Sequence, residues 1–110
     1  MNVKFTARHF RPRPGVKDHA LEQVRKLAKF YDGIVSATVV LSYERATNSV
    51  KTAEINLHVY GTVLSATEKS DDYVKSIDAA SEKLTVQLSK YKTKLRAKDK
   101  STVRKIKAKV

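Results

Sequence analysis

Near the middle of the chain stands the segment Ala53-Glu54-Ile55-Asn56-Leu57-His58-Val59. Apolar and polar side chains alternate through it, which is the pattern of a strand with one buried face and one wet face. The preceding segment, residues 34–45, alternates in the same way, and its apolar positions are Val35, Ala37, Val39, Leu41 and Tyr43. Because the polar turn at residues 46–49 lies between the two segments, we predict an antiparallel hairpin.

The segment before this hairpin predicts one strand and one helix. Alternation of Val3, Phe5 and Ala7 with polar neighbours indicates a first strand over residues 2–9. Pro12 and Pro14 interrupt the chain, and apolar residues then recur at helical spacing. These residues predict a first helix over 15–31, and they are Val16, Ala20, Val24, Leu27 and Tyr31.

The segment after the hairpin predicts a short strand and a long helix. Gly61 turns the chain into a strand over residues 62–69, and Ser70 and Asp71 then offer a helix N-cap. Acidic residues at that point complement the positive end of the helix dipole. The second helix carries one continuous apolar stripe, which consists of Tyr73, Ile77, Ala80, Leu84, Leu88, Tyr91 and Leu95.

The predicted order β-α-β-β-β-α indicates an α+β fold with a four-stranded mixed sheet and both helices packed on one face. The first two strands, joined by a helix, are expected to run parallel if they are adjacent, with a right-handed crossover. The opposite face is polar enough to stay in water. We predict one domain over residues 1–95 and a basic, flexible tail over residues 96–110.

Composition limits the possible functions. The 110 residues carry a net charge of +12 and no cysteine. Half of that excess lies in the last fifteen residues, which hold seven bases and one acid. Such a charge distribution attracts polyanions, above all nucleic acids. The apolar runs are too short for a membrane span, and the amino end lacks the apolar core of a signal peptide, so we expect a cytosolic protein without a membrane partner.

No constellation in the sequence indicates catalysis. His9, His19 and His58 lie on different elements, without metal-ligand spacing between any pair. The acids suit a helix start or an outward strand face, and there is no phosphate-binding glycine loop or nucleophile elbow. We therefore expect no enzyme activity, metal, cofactor or small-molecule substrate.

Basic residues on the two helices are the candidate binding site. Lys83, Lys90 and Lys94 fall on nearly one side of the second helix, beside its apolar stripe. The first helix presents Arg25, Lys26 and Lys29. A lysine row beside a core stripe is ordinarily just a solvated face. Because few acids accompany these cations, we expect the two rows to form one basic surface suited to an RNA backbone rather than to base edges. Five aromatic residues suit the core or its edge, which disfavours stacking of single-stranded bases. They are Phe5, Phe30, Tyr31, Tyr73 and Tyr91.

Several segments in this order resemble the short ribosome hibernation promoting factors, a family that includes the inhibitor called protein Y. The resemblance spans nearly all of residues 1–95 and rests on spacing rather than on one motif. The segments that carry it are Lys26-Leu27-Ala28-Lys29-Phe30-Tyr31-Asp32, Val39-Val40-Leu41, residues 53–59, Asp72 with Ile77-Asp78, Lys83-Leu84, Gln87-Leu88-Ser89-Lys90, Lys92 and Lys94.

The resemblance implies a fold similar to double-stranded RNA-binding domains and a ribosomal function. It implies binding to the small ribosomal subunit and its 16S rRNA, also within the 70S ribosome, in the channel for mRNA and for A-site and P-site tRNA. Translation is thereby inhibited and idle ribosomes are protected, as in stationary phase and under stress. The protein is expected to be a monomer off the ribosome. By position, the family's rRNA-facing residues correspond here to Arg25, Lys26, Lys29, Lys83, Lys90, Lys92 and Lys94.

The chain departs from the family pattern in two informative ways. Val86 stands where some members carry an arginine, so one expected phosphate contact is absent. The tail is basic, whereas protein Y ends in acids. The alternative that remains open is a general double-stranded RNA-binding module, which would bind free duplex about as well as it binds ribosomes.

Overall fold

The computed structural model of the chain describes residues 2–8, 10–43 and 50–109, with side chains described as far as Lys94. Its elements are β1 (Asn2–Ala7), α1 (Pro14–Phe30), β2 (Ile34–Tyr43), β3 (Lys51–Val59), β4 (Thr62–Ser70) and α2 (Tyr73–Lys109). This order confirms the predicted α+β fold. Because α2 continues past residue 95, the predicted border between domain and tail falls inside this helix, and the tail's flexibility stays a prediction.

The four strands form one mixed sheet in the order β1-β2-β3-β4. β1 pairs with β2 in parallel, as predicted, and α1 is the crossover between them. β2 pairs with β3 and β3 with β4, both antiparallel. The turn between β3 and β4 contains Gly61 at a φ of 83°, a backbone conformation that glycine adopts without strain.

Both helices cover the same face of the sheet. The fully buried side chains of β3 (Ala53, Ile55, Leu57) and of α2 (Ile77, Ala80, Leu84, Leu88) belong to one hydrophobic cluster, together with Ala20, Val24 and Leu27 of α1. The predicted apolar stripes therefore form the core. Leu95, the last predicted member of the α2 stripe, lies outside the residues whose side chains are described.

The predicted inward position of Val35 was wrong. Val35 is 65% exposed, whereas its neighbour Ile34 is buried. The register of β2 against β3 shifts between Ile34 and Ser36, which indicates a β-bulge. The extra residue in a bulge reverses the alternation locally, so the inward phase of β2 begins at Ile34 and resumes at Ala37.

The predicted N-cap of the second helix was also displaced. β4 extends to Ser70, and α2 begins at Tyr73, so Asp72 occupies the capping position. Its Oδ1 accepts a hydrogen bond from the backbone N–H of Val74 at 3.1 Å. Ser70 supports this cap, since its Oγ accepts from the backbone N–H of Asp72 at 3.2 Å. Neither Ser70 nor Asp71 caps the helix directly.

Candidate RNA-binding surface

Contacts between the two helices show that they run parallel and that the end of α1 lies beside the middle of α2. Near their start, His19 Nε2 lies 2.6 Å from Asp78 Oδ1. Further along, the side chains of Tyr31 and Tyr91 meet edge to face with ring centroids 5.7 Å apart. The predicted cations of α1 and most of those of α2 lie near this point, so they share the end of the helix layer at which α1 finishes.

All seven predicted site residues lie on this helix layer, and they differ in exposure. Six are exposed to solvent and one is half-buried. The exposed residues are Arg25, Lys26, Lys29, Lys83, Lys90 and Lys94, and the half-buried one is Lys92. The structure thus presents the predicted cations at a surface, while whether they contact rRNA stays a prediction.

One group of cations lies on the side of α2 that faces β4. Lys90 and Lys94 line an open groove of about 470 Å³ between α2 and β4, together with Thr62, Leu64, Gln87 and Tyr91. Lys83 lies on the same side and forms an ion pair with Glu68 of β4. The expectation that this row lacks acidic partners was therefore wrong for Lys83, because its partner comes from a strand rather than from its own helix.

A second group lies toward α1. Lys92 Nζ donates a hydrogen bond to the backbone carbonyl of Phe30 at 3.1 Å and lies 4.7 Å from the centroid of the Phe30 ring. Lys26 Nζ lies 3.8 Å from Glu22 Oε1, with both side chains more than half exposed. Such an exposed ion pair contributes little to the stability of the fold. Lys92 is thus the residue that links the cations of α2 to those of α1.

Aromatic contacts hold this end of the helix layer against the sheet. Tyr91 donates a hydrogen bond from its hydroxyl to the backbone carbonyl of Tyr60 at 2.7 Å, in the turn between β3 and β4. Burial, with smaller contributions from Tyr91 and Asp32, raises the pKa of the Tyr31 phenol. Tyr31 therefore stays neutral near pH 7 and adds no negative charge to the basic surface.

Two exposed aromatic residues were not anticipated from the sequence. Phe30 was expected at the core or its edge, yet it is 41% exposed beside Lys92. Tyr60 is 89% exposed and was not singled out. Its place directly before Gly61 was the available signal, because a residue in a tight turn has little neighbouring structure to cover it.

The residues that could carry metal or acid-base chemistry lie apart. In the described part of the chain, no three histidine, cysteine or carboxylate side chains form a group that could hold a metal ion. His19 pairs with Asp78 and His58 is exposed on β3, while His9 lies outside the described residues. A search of the described helices found none long and apolar enough to cross a membrane.

Comparison with known proteins places this architecture among ribosome-associated proteins. The family model described as "Sigma 54 modulation protein / S30EA ribosomal protein" matches residues 3–96. A ribosome hibernation promoting factor of Klebsiella oxytoca is 32% identical over 96 residues, which cover 87% of this chain and 98% of that protein. A ribosome hibernation promotion factor of Bacillus subtilis is 26% identical over 98 residues, 89% of this chain but only 52% of that longer protein.

Two solved structures share the fold. A ribosomal subunit interface protein from Coxiella burnetii superposes with a TM-score of 0.76 at 24% identity, covering 84% of this chain and 99% of that one. The amino-terminal domain of Thermus thermophilus protein Y superposes with a TM-score of 0.71 at 26% identity, covering 83% and 99% of the two chains.

Proposed function

Because the chain belongs to the Sigma 54 modulation protein / S30EA ribosomal protein family, as the predicted resemblance implied, we propose that it is a ribosome hibernation factor. It binds the small ribosomal subunit, free or within the 70S ribosome, in the channel that otherwise holds mRNA and the A-site and P-site tRNAs. It thereby inhibits translation and protects idle ribosomes. The protein acts in the cytosol by occupying this channel, without a catalytic step or a cofactor, and it is a monomer off the ribosome.

The observation that carries this proposal is the parallel arrangement of α1 and α2. It collects cations from two helices at one end of the layer, on side chains that point away from the core. Lysine and arginine side chains position a protein on RNA by contacting phosphates, whereas sequence is read at base edges. A rigid, two-helix array of cations therefore suits a folded rRNA backbone of fixed shape better than a particular sequence.

We assign the seven site residues to this rRNA contact with two refinements. Lys90 and Lys94 are the principal phosphate contacts, because no carboxylate among the described residues competes for them. Arg25, Lys26 and Lys29 extend the surface across α1. Lys83 forms an ion pair with Glu68, and Lys92 donates a hydrogen bond to the carbonyl of Phe30. Each of these two lysines therefore contributes less to phosphate binding.

The first experiment is co-sedimentation of the purified protein with 30S, 50S and 70S particles in the presence of excess duplex RNA. We expect the protein to stay with 30S and 70S particles, since the proposed site is a particular rRNA surface. Loss of the protein to the duplex would instead favour the general double-stranded RNA-binding module. Release from every particle without transfer to the duplex would contradict both functions.

A charge-reversal pair locates the site. Lys90→Glu with Lys94→Glu should weaken binding to 30S particles on the order of a hundredfold, because two attractive phosphate contacts become repulsive. The matched control is Lys4→Glu with Arg8→Glu, which changes the net charge equally in β1 and directly after it, at the other edge of the sheet. Equal binding losses in both variants would show a general charge effect and overturn the site assignment.

A further inference from the structure

A cleft between α1 and α2 adjoins the phosphate contacts proposed above, since Lys26 lines it. It measures about 230 Å³ and is lined by Gln23, Lys26, Leu27, Phe30, Ser81 and Thr85. This volume is several times what one water molecule needs. Although four of these six residues are polar, most of the surface that they expose to the cleft is carbon. A largely apolar surface with a few polar groups is the usual character of a pocket for a small organic group.

The Ser81 side chain at this cleft is not satisfied by the protein. Ser81 is 6% exposed, and its Oγ is the buried side-chain polar atom without a hydrogen-bond partner among the described residues. Serine and threonine inside helices usually bond a backbone carbonyl one turn earlier. Thr85 does so, since its Oγ1 donates to the Ser81 carbonyl at 2.9 Å. A buried hydroxyl that forgoes this bond keeps its hydrogen-bonding capacity for a partner from outside the protein.

The aromatic ring at the same cleft is accessible. Phe30 is 41% exposed, and Lys92 Nζ lies 4.7 Å from its ring centroid. Lys26, which lies on α1 one turn before Phe30, also lines the cleft and keeps its ammonium group in solvent. An exposed ring accompanied by cations is the combination with which proteins stack unpaired nucleobases while they hold the neighbouring phosphates.

We propose that this cleft takes one unpaired nucleobase of the bound RNA, an inference that rests on the proposed function. The base stacks against Phe30. A polar atom of its edge pairs with Ser81 Oγ, which is buried in the free protein, once this side chain rotates toward the cleft. A hydroxyl can either donate or accept that hydrogen bond. Lys26 and Lys92 contact the phosphates on either side. Paired bases of a duplex cannot enter, so the cleft adds a preference for RNA with an exposed base, which the sequence reading had disfavoured.

The direct test is an NMR titration of the free ¹⁵N-labelled protein with AMP, GMP, CMP and UMP. Ribose 5-phosphate serves as the probe that lacks a base. We expect at least one mononucleotide to shift the amide signals of Phe30, Ser81 and Thr85, while ribose 5-phosphate shifts only those near exposed lysines. If mononucleotides and ribose 5-phosphate give the same shifts, the cleft takes no base and the proposal is overturned.

Ser81→Ala separates a binding role from a structural one. Removing an unsatisfied buried hydroxyl should leave the melting temperature equal or higher, yet mononucleotide binding should weaken several-fold. The matched control, Ser89→Ala, alters an exposed serine two turns later on α2 and should change neither. Undiminished mononucleotide binding by Ser81→Ala would remove the role assigned to the hydroxyl and contradict the proposal.

The ribosome supplies a second readout that distinguishes this inference from the proposed function. Phe30→Leu should weaken 30S binding about tenfold, the loss expected for one stacked base. If the wild-type protein fails to bind ribosomes, the proposed function falls, and the mononucleotide titration still decides whether the cleft takes a base. If wild type and Phe30→Leu bind 30S particles equally, the proposed function stands and the nucleobase site is rejected.

Discussion

The two ends of the helix pair share one hydrophobic core but differ in whether their charged side chains form ion pairs. The acidic end, at which α1 and α2 begin, is defined by Asp71, Asp72 and Asp78. Two of these acids have basic partners: Asp78 pairs with His19 at 2.6 Å, and Asp71 with Lys75 at 3.4 Å. At the other end, the cationic end defined by Arg25, Lys26, Lys29, Lys90, Lys92 and Lys94, no carboxylate among the described residues contacts Lys90 or Lys94.

This contrast shows which part of the sequence serves the fold and which part is left for a partner. The apolar stripes require only that both helices lie on the sheet, and they place no demand on the charges of the outer face. The two ion pairs at the acidic end place an acid beside a base, whereas cations collected at the other end repel one another in the free protein. Such an unbalanced end suits the contact with an RNA backbone that we propose there.

The largest expected effect is the salt dependence of ribosome binding. If the cationic end contacts six to ten phosphates, affinity for 30S particles should fall roughly 10³- to 10⁵-fold between about 50 mM and 200 mM monovalent salt, by analogy with duplex DNA. The measurement is sedimentation binding at a series of salt concentrations with magnesium held constant.

The same salt series tests which end is responsible. The plot of log affinity against log salt has a negative slope, and each lost phosphate contact reduces the steepness of that slope by about one. Lys90→Glu with Lys94→Glu should therefore lower it by about two, whereas Lys75→Glu, at the acidic end, should leave it unchanged. A wild-type slope near zero would mean that phosphate contacts do not drive binding, and the contrast between the ends would lose its meaning.

Leu84→Ala tests the core that both ends share. Leu84 is fully buried in the cluster between helices and sheet, so the substitution should lower the free energy of unfolding by about 2–5 kcal/mol. Urea unfolding measures this, and Val86→Ala, on the exposed side of α2, should change it by less than about 0.5 kcal/mol. Once corrected for the folded fraction, 30S binding by Leu84→Ala should match wild type.

If the folded Leu84→Ala protein instead bound 30S particles much more weakly, packing and binding would be coupled. The cationic end could then not be treated as an independent surface.

Sequence periodicity predicted most of the core, because burial of one face imposes a regular spacing on strands and helices. It failed at Val35, where a bulge inserts one residue and reverses the alternation. Bulges depend on the geometry of the neighbouring strand, which no local pattern records. The N-cap of α2 was predicted at Ser70 and Asp71, whereas Asp72 is the cap. All three residue types are acceptable caps, and only the point at which β4 ends selects among them.

The candidate site was predicted less completely than the fold. Helical spacing placed Lys83, Lys90 and Lys94 on one side of α2, but nothing local indicated that Glu68 of β4 would pair with Lys83. The exposure of Phe30 and the unsatisfied hydroxyl of Ser81 depend on how the two helices meet. Contacts between elements that are distant in sequence are set by tertiary packing, and single-sequence patterns carry little information about them.

A smaller effect is expected at the acidic end, from the pair formed by His19 and Asp78. The two side chains are 26% and 47% exposed, so solvent screens their attraction. A double-mutant cycle with His19→Ala and Asp78→Ala should give a coupling energy of about 1 kcal/mol in urea unfolding. Neither variant should change 30S affinity. A loss of 30S binding in either one would extend the RNA surface to this end and erase the contrast between the two ends.

The smallest expected effect is a gain, and it sharpens the contrast at the cationic end. Val86 is 54% exposed on α2, one helical turn before Lys90. Val86→Arg should add one exposed phosphate contact and strengthen 30S binding about threefold, or ~0.7 kcal/mol. Val86→Gln, similar in length but uncharged, controls for the side-chain volume. If both variants bind alike, or if Val86→Arg binds more weakly, then the rRNA does not approach this turn of α2, and the contact is confined to the groove lined by Lys90 and Lys94 and to α1.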